Sequence, residues 1–196
     1  MKELTKYQLQ KISKNLDYYF NKSTLHEQQE GLKWYETANA ICKDIAEKYD
    51  SNTMTVGQVL SALSPRNKWE QNIKDTYKVF EAVAEGKTAE QIKVCTFHTN
   101  KFKAFNIINN NVQITNKSLK TFNFVNNIAL LSNKHLTIDI WHLRACFSRL
   151  IKIDKANIGR LAYAQIKKLT LKKADKIGIK GYQYQAIIWG SIRNEN

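Results

Sequence analysis

Turn-forming residues are scarce in this chain, and that scarcity restricts its fold more than any other feature. The 196 residues include only 7 glycines and 1 proline. Sandwiches and barrels need a turn every ~8–12 residues, and glycine and proline supply many of those turns. Apolar residues instead recur three and four positions apart, as in Leu9, Ile12 and Leu16, which is the spacing of an amphipathic helix. The sequence therefore predicts an all-α protein.

Capping residues and breaks set the predicted helix boundaries. Thr24, Thr88, Thr99 and Thr137 are the predicted N-caps, and Gly86 is a predicted C-cap. An asparagine-rich stretch before position 119 is expected to be irregular, and no repeat or linker separates two domains, so a single domain over 1–196 is expected. The predicted helical segments are 4–20, 24–49, 55–63, 67–85, 88–94, 99–110, 119–131, 137–151, 158–176 and 182–193.

The net charge of +14 is unevenly distributed along the chain. Residues 1–50 carry 8 basic and 8 acidic residues, residues 51–148 carry 12 and 6, and residues 149–196 carry 11 and 3. A basic face of this kind is typical of nucleic-acid-binding proteins. The competing interpretation is a lysine-rich, solvated surface. DNA, bound through the basic middle and C-terminal regions, is the expected partner.

Cysteine usage and hydropathy point away from metal centres and membranes. Cys42, Cys95 and Cys146 are odd in number, widely spaced and surrounded by apolar helical sequence, so reduced structural thiols are expected. No metal or cofactor is expected. No stretch approaches the ~18 apolar residues of a membrane span, and the N-terminus does not resemble a signal peptide. A cytoplasmic protein without a membrane partner is the expectation.

Asp139 is the only acidic residue between Gln91 and Ile153. In the first turn of a helix capped by Thr137, its carboxylate would be stabilised by the helix dipole, which is one interpretation. Its neighbours Ile138 and Ile140 are apolar. A carboxylate fixed at a partly buried helix start also suits a general base or the stabilisation of a developing cation.

Lys120 opens an apolar helix, where the dipole disfavours a cation. That position is expected to lower the lysine pKa, as a nucleophilic amine requires. The alternative is an ordinary exposed lysine.

Other polar and aromatic residues have competing interpretations. His142 lacks the companions of a metal site, since the HExxH pattern is absent, and is expected to be a polar residue of the core or of a cleft. Trp34, Trp69 and Trp141 are expected in the core, with stacking on a base as the alternative. The loop from Ser64 to Asn67 is either a simple helix corner or a ligand-facing loop.

The run Lys120-Thr121, an apolar helix and the segment TIDIWHLR at 137–144 resemble the helix-hairpin-helix DNA glycosylase superfamily. Its signature is a hairpin ending in Lys-Thr, a helix, and a Val-Asp-x-His-x-x-Arg segment with the catalytic aspartate. The LSP at Leu63–Pro65 resembles the family's LS helix end near the base pocket, and the agreement covers roughly Val56–Phe147.

This resemblance implies a two-lobed all-α domain with an active-site cleft between the lobes and a catalytic segment over roughly 99–148. Lys120 corresponds to the lysine that attacks the sugar C1′ in bifunctional members. Asp139 corresponds to the aspartate that activates the nucleophile and stabilises the oxocarbenium-like transition state. These two side chains are expected to face each other across the cleft. Apart from the family match, the expected contacts with substrate or DNA are Ser64, Arg66, Asn67, Lys117, Trp141, His142 and Arg144. His142 has no family role, because the His-containing segment is shifted by one position.

Two departures from the family bear on the substrate. The hairpin glycines are replaced by TNKSL at 115–119, and the four-cysteine iron–sulfur loop of some members is missing. Divergent members, mostly in bacteriophages, are adapted to modified bases. The resemblance therefore implies cleavage of the N-glycosidic bond of an unusual or modified base in DNA, with lyase activity in a bifunctional enzyme. The alternatives are a non-catalytic nucleic-acid-binding or inhibitory protein on this fold, and a nucleotide-base hypermodification enzyme of the same superfamily.

Overall fold

The computed structural model of the chain describes residues 3–148 and 158–193. All regular structure in these residues is helical, which confirms the prediction of an all-α protein. The helices are α1 (Lys6–Lys22), α2 (Leu25–Lys48), α3 (Thr53–Leu63), α4 (Trp69–Ala84), a short 3-10 helix (Ala89–Gln91), α5 (His98–Asn109), α6 (Leu119–Leu130), α7 (Ile140–Phe147), α8 (Arg160–Lys176) and α9 (Gly181–Arg193).

Local capping explains where the first helices begin. Thr5 and Gln8 form a capping box at the start of α1. Before α2, the Thr24 N–H donates to the Glu27 carboxylate at 2.8 Å, and the Glu27 N–H donates to the Thr24 hydroxyl at 3.2 Å. This reciprocal pair satisfies two otherwise unbonded N–H groups, and the predicted N-cap at Thr24 is confirmed.

Two of the predicted N-caps are wrong. Helix α5 begins at His98 after Phe97 rather than after Thr99. The predicted N-cap at Thr88 is confirmed, since Thr88 and Gln91 form a capping box, but the element that follows is a single 3-10 turn over Ala89–Gln91 rather than a helix as far as Val94. The N-cap of α7 is Asp139 rather than Thr137, and α7 ends before Ser148, which adopts a left-handed conformation. The last part of that predicted helix, 149–151, lies outside the described residues.

The chain divides into two compact units, and the first comprises Met1–Tyr35 and Ser132–Asn196. Its described part contains α1, the start of α2, α7, α8 and α9. Helix α1 packs against α7, α8 and α9, and α9 also packs against α7 and α8. The core residues Leu16, Leu143, Ile166 and Ile187 are at most 2% exposed. The short helix α7 is therefore held by longer helices of the same unit.

The second unit is Glu36–Leu131, and α3 lies at its centre. Helix α3 contacts α4, α5 and α6, and most of its side chains are buried. Gly57 allows α6 to approach closely, since a Cβ there would lie 2.8 Å from the Cβ of Ala129. The Ile114 N–H donates to the buried Gln58 side chain at 2.7 Å and fixes the irregular segment before α6.

Exposure corrects two expectations about the core. Cys95 is exposed and lies in a bend outside the helices, whereas Cys42 and Cys146 are buried as expected. Trp34 and Trp69, like the third expected core tryptophan Trp141, are only half-buried. No helix among the described residues is long and apolar enough to cross a membrane.

Candidate functional site

The carboxylate of Asp139 caps α7 and is 6% exposed. Its Oδ1 accepts a hydrogen bond from the His142 N–H at 2.9 Å. Its Oδ2 accepts a hydrogen bond from the indole Nε1–H of Trp189 at 3.0 Å. A capping carboxylate stabilises a helix start through its hydrogen bond and through the helix dipole. Both oxygens thus have donors, one local and one 50 residues away in α9.

Buried tyrosines fix the extended backbone that leads into Asp139. The phenol of Tyr163 accepts from the Ile138 N–H at 3.1 Å and donates to the Leu136 carbonyl at 2.7 Å. The Thr137 hydroxyl is hydrogen-bonded to the phenol of Tyr35, which explains why Thr137 does not cap the helix. Burial, and then the charge of Asp139, raise the pKa of Tyr35. The position of the Asp139 backbone is therefore set by tertiary contacts.

His142 lies in the first turn of α7 and has no exposed surface. The Thr170 hydroxyl donates to the Ile166 carbonyl at 3.0 Å, so it can only accept from the His142 Nε2, which lies 3.2 Å away. This arrangement places the imidazole proton on Nε2. Burial lowers the pKa of His142 to about 4. His142 is thus a neutral core residue, and its predicted contact with a ligand would require its surroundings to open.

Three half-buried tryptophans and two arginines form a continuous surface feature beside Asp139, here called the tryptophan–arginine patch. The Arg144 guanidinium lies 4.4 Å from the ring centre of Trp141. The Arg193 guanidinium lies 5.8 Å from the ring centre of Trp141 and 6.0 Å from the ring centre of Trp189. Trp189 meets Trp34 edge to face at 5.4 Å. Stacked arginines and indoles of this kind are suited to bases and phosphates.

Only part of this patch could be predicted from the sequence. Trp141 and Arg144 were expected at the site, and they lie next to Asp139 on the same short helix. Trp189 and Arg193 come from α9 and Trp34 comes from α2. No local pattern links these distant segments to Asp139.

Lys120 lies in the second unit, as the second residue of α6, and is exposed. Ser118 is the N-cap of α6 but makes no side-chain capping bond. The Ser61 hydroxyl donates to the Thr121 carbonyl at 3.0 Å, which ties the first turn of α6 to α3. Lys117 is exposed in the preceding loop. The predicted start of this helix is confirmed, and the pairing of Lys120 with Asp139 stays a prediction.

The loop between α3 and α4 is ordered around a buried carboxylate, Asp75, which is 0% exposed. Its Oδ2 accepts from the side chain of Asn67 at 2.9 Å and from the Cys95 N–H at 2.8 Å. Arg66 adopts a left-handed φ of 57°, and its guanidinium lies 5.3 Å from the ring centre of the exposed Phe97. Non-glycine residues seldom adopt this conformation. The loop thus presents Arg66 on a fixed backbone.

Ser64 and Asn67 face inwards, in contrast to Arg66. The Ser64 hydroxyl donates to the Ser61 carbonyl at 2.9 Å, and the Asn67 amide is held by Asp75. Of the three predicted loop contacts, Arg66 is the one with an exposed side chain.

Comparison with known proteins gives a family for the whole chain. The family described as "Family of unknown function (DUF7178)" matches residues 1–196. The chain belongs to this family. Searches of curated proteins and of solved structures found no match. The function of this DUF7178 member is therefore inferred from its own residues.

No group of three or more His, Cys, Asp or Glu side chains is placed to hold a metal ion within residues 3–148 and 158–193. Among the same residues, the buried carboxylates of Asp139 and Asp75 each accept hydrogen bonds from N–H groups.

Proposed function

We propose that this DUF7178 chain is a DNA glycosylase of the helix-hairpin-helix type, in two lobes, that removes an unusual or modified base. The observation that carries the proposal is the Asp139 carboxylate, fixed by two N–H donors at the start of α7. A preorganised negative charge of this kind can stabilise a sugar that becomes cationic as the base departs. The chemistry requires that Asp139 and Lys120 act on one substrate.

In the proposed reaction the N-glycosidic bond breaks and its electron pair leaves with the base. The amine of Lys120 adds to C1′ and gives one proton to the departing base. The C1′–O4′ bond then breaks with its electron pair on O4′, O4′ takes the second amine proton, and the nitrogen and C1′ are left joined by the double bond of a Schiff base. Asp139 offsets the positive charge on the sugar during the transfer. In a monofunctional enzyme, water held by Asp139 would take the place of the amine.

The tryptophan–arginine patch supports a nucleic-acid substrate, because it places cations and aromatic faces within the same unit as Asp139. A base turned out of the helix needs an aromatic surface to stack on. Arg66, held beside Phe97 in the second unit, is proposed as a further contact to the DNA backbone.

Borohydride trapping tests the proposal directly. The chain is incubated with oligonucleotides that each carry one modified base, and borohydride reduces any Schiff base to a stable adduct. We expect an adduct with the wild type that is lost in Lys120→Ala but retained in Lys74→Ala, an exposed lysine on α4.

The Asp139→Asn variant tests the role of the carboxylate in the same assay. We expect base release to fall by about 10²- to 10⁴-fold, the usual contribution of a positioned acid or base. Full activity in an Asp139→Asn protein with an intact thermal transition would show that the mechanism is wrong.

A second candidate function is nucleic-acid binding without catalysis. The occupied oxygens and 6% exposure of Asp139 favour it, because they are sufficient to explain the residue as a helix cap. This candidate predicts no adduct and no base release. It also predicts a salt-dependent affinity for DNA that Lys120→Ala and Asp139→Asn leave nearly unchanged.

A further inference from the structure

Helix α1 carries two aromatic rings on its solvent-facing side. Tyr7 is 74% exposed and Tyr18 is 54% exposed. The buried residues of the helix are Ile12, Leu16 and Tyr19, and α1 packs against α7, α8 and α9 of the same unit. Packing within the first unit therefore does not account for the two exposed rings.

Two exposed lysines lie between these rings on the same face of the helix. Tyr7, Lys11, Lys14 and Tyr18 follow one another at intervals of 4, 3 and 4 residues, so they fall within an arc of about 60° around the helix axis. The two tyrosines are about 16 Å apart along that axis. Lys11 and Lys14 are both exposed. These four side chains are here called the tyrosine–lysine stripe.

The ring of Tyr18 is held in place by its neighbours in the helix. It meets the Tyr19 ring edge to face, with 5.2 Å between the ring centres. The Lys22 ammonium lies 5.6 Å from the Tyr18 ring centre and adds a third cation beside the stripe. A side chain that is already positioned loses less conformational freedom when a ligand binds to it.

The two acidic residues among positions 3–22 are both engaged with α8. Asp17, the acidic residue of α1, accepts a hydrogen bond from the Lys173 ammonium at 2.6 Å. Glu3, which precedes the helix, accepts a hydrogen bond from the Gln165 side-chain amide at 3.3 Å. The stripe itself therefore keeps the positive charge of its lysines.

The first 50 residues of the chain are neutral only as an average. They contain 8 basic and 8 acidic residues, but six of the acidic residues lie at 27–50. Helix α1 contains four lysines and one acidic residue. The charge count over positions 1–50 thus concealed a basic helix.

We propose that the tyrosine–lysine stripe binds single-stranded nucleic acid, with unpaired bases stacked on Tyr7 and Tyr18 and backbone phosphates at Lys11 and Lys14. Surfaces that bind single strands combine aromatic rings, on which bases stack, with cations that follow the backbone. The bases of a duplex are already stacked on one another, so the rings require an unpaired strand. The proposal adds a binding surface to the proposed function and requires no chemistry at Asp139.

An anionic membrane fits this surface less well than a nucleic acid. A helix that lies on a membrane inserts its apolar face among the lipids. The apolar side of α1, with Ile12 and Leu16, is buried within the unit. The solvent-facing side therefore offers the membrane two tyrosine rings and no continuous apolar face.

The test compares two labelled oligomers of equal length and charge by fluorescence anisotropy. One is oligothymidylate, and in the other every nucleotide is a tetrahydrofuran abasic analogue, which cannot form a Schiff base. We expect the wild type to bind oligothymidylate at least about fivefold more tightly, the lower limit for stacking one base on an aromatic side chain. The ratio of the two affinities reports stacking, because the phosphate contacts are common to both oligomers.

Substitution of the two tyrosines together shows whether their rings cause this preference. Leucine at both positions keeps an apolar side chain but removes the rings, so the ratio should fall close to 1. Phenylalanine at both positions keeps the rings and should keep the wild-type ratio. Phe102→Leu removes an exposed ring from α5 of the second unit and should also leave the ratio unchanged.

The lysines of the stripe should affect salt dependence instead of base preference. Lys11→Gln combined with Lys14→Gln should reduce the slope of log affinity against log salt by about 1.4, since each phosphate contact to a single strand contributes about 0.7. The ratio for the two oligomers should stay as in the wild type. Lys43→Gln combined with Lys74→Gln, two exposed lysines of the second unit, should keep nearly the full slope.

Four results would overturn the proposal. Two are a wild-type ratio close to 1 and a wild-type ratio in the double leucine variant with an intact thermal transition. The third is no binding of oligothymidylate at about 50 mM salt. The fourth is binding to vesicles of equal parts phosphatidylserine and phosphatidylcholine without binding to oligothymidylate. Because the measurement is equilibrium binding, a failure of borohydride trapping at Lys120 would leave this result intact.

Discussion

At the scale of single residues, Asp139 makes one contact that could be predicted from the sequence and one that could not. It caps α7 through the His142 N–H, and it also accepts the indole N–H of Trp189. The cap is a local interaction, so a cap near this position could be predicted from the sequence, although the prediction placed it at Thr137. The bond to Trp189 joins residues that are distant in sequence, and it turns a simple cap into a fixed, nearly buried charge.

Replacing Asp139 should destabilise the first unit, and the loss of stability should depend on the residue that replaces it. In Asp139→Ala the cap is lost, at a cost of about 1 kcal/mol, and the indole N–H of Trp189 loses its acceptor, at a cost of about 1–3 kcal/mol. Asp139→Asn keeps a capping oxygen and should lose less. Urea denaturation measures both variants. In a Trp189→Phe background, Asp139→Ala should cost less, and purely additive effects would show that the two groups do not interact.

His142 predicts a specific dependence of stability on pH. Its pKa is about 4 in the folded chain against an ordinary value of 6.5, so between these values the unfolded chain binds a proton and the folded chain does not. Stability is therefore complete above pH 6.5 and falls with pH down to about 4, by up to about 3 kcal/mol in the free energy of unfolding. Urea denaturation at several pH values measures this slope.

The matched control uses the exposed His26. His142→Gln should flatten the slope between about pH 4 and pH 6.5, whereas His26→Gln should leave it as it is. A wild-type slope in His142→Gln would mean that other groups cause the acid sensitivity.

At the scale of helices, the periodic apolar pattern predicted most of the helices correctly. The capping residues predicted the helix starts less reliably. The helix at 119–131 and the Thr24 cap were predicted correctly because their signals are local. Thr137 was wrong because its hydroxyl bonds to Tyr35, 102 positions earlier in the chain. Phe97, before α5, makes no side-chain capping bond at all. Burial and tertiary hydrogen bonds decided these helix starts, and neither is visible in a sequence window.

A close contact between α2 and α9 in the first unit gives a prediction at this scale. A Cβ on Gly31 would lie 2.7 Å from the backbone nitrogen of Ile187 and 2.8 Å from its Cα. The helices would have to separate, so Gly31→Ala should destabilise the chain by roughly 1–3 kcal/mol despite the better helix propensity of alanine. Thermal denaturation monitored by circular dichroism measures the effect.

Gly190, in α9, provides the control for this substitution. A Cβ there would meet only ordinary contacts, the nearest at 3.4 Å from the Cβ of Glu27. Gly190→Ala should therefore be neutral or stabilise the chain by up to about 1 kcal/mol. If both variants shifted the transition by the same amount, helix propensity rather than the close contact would explain the result.

At the scale of the whole molecule, the net charge is divided unequally between the two units. The first unit, Met1–Tyr35 with Ser132–Asn196, carries 19 basic and 8 acidic residues, a net charge of +11. The second unit, Glu36–Leu131, carries 12 and 9, a net charge of +3. The sequence predicted a basic C-terminal part but not that it joins the first 35 residues in one unit. The grouping of these two distant segments in one unit depends on tertiary packing, and no local sequence pattern indicates it.

This asymmetry predicts which lysines determine the salt dependence of DNA binding. Changing Lys168, Lys172 and Lys176 to Gln should reduce the slope of log affinity against log salt by roughly 2 for single-stranded DNA, since each lost phosphate contact removes about 0.7. The control variant changes three exposed lysines of the second unit, and it should keep nearly the full slope. These control lysines are Lys43, Lys74 and Lys78. Because both triple variants lower the net charge by the same amount, equal losses of slope would show that total charge, rather than its concentration in the first unit, drives binding.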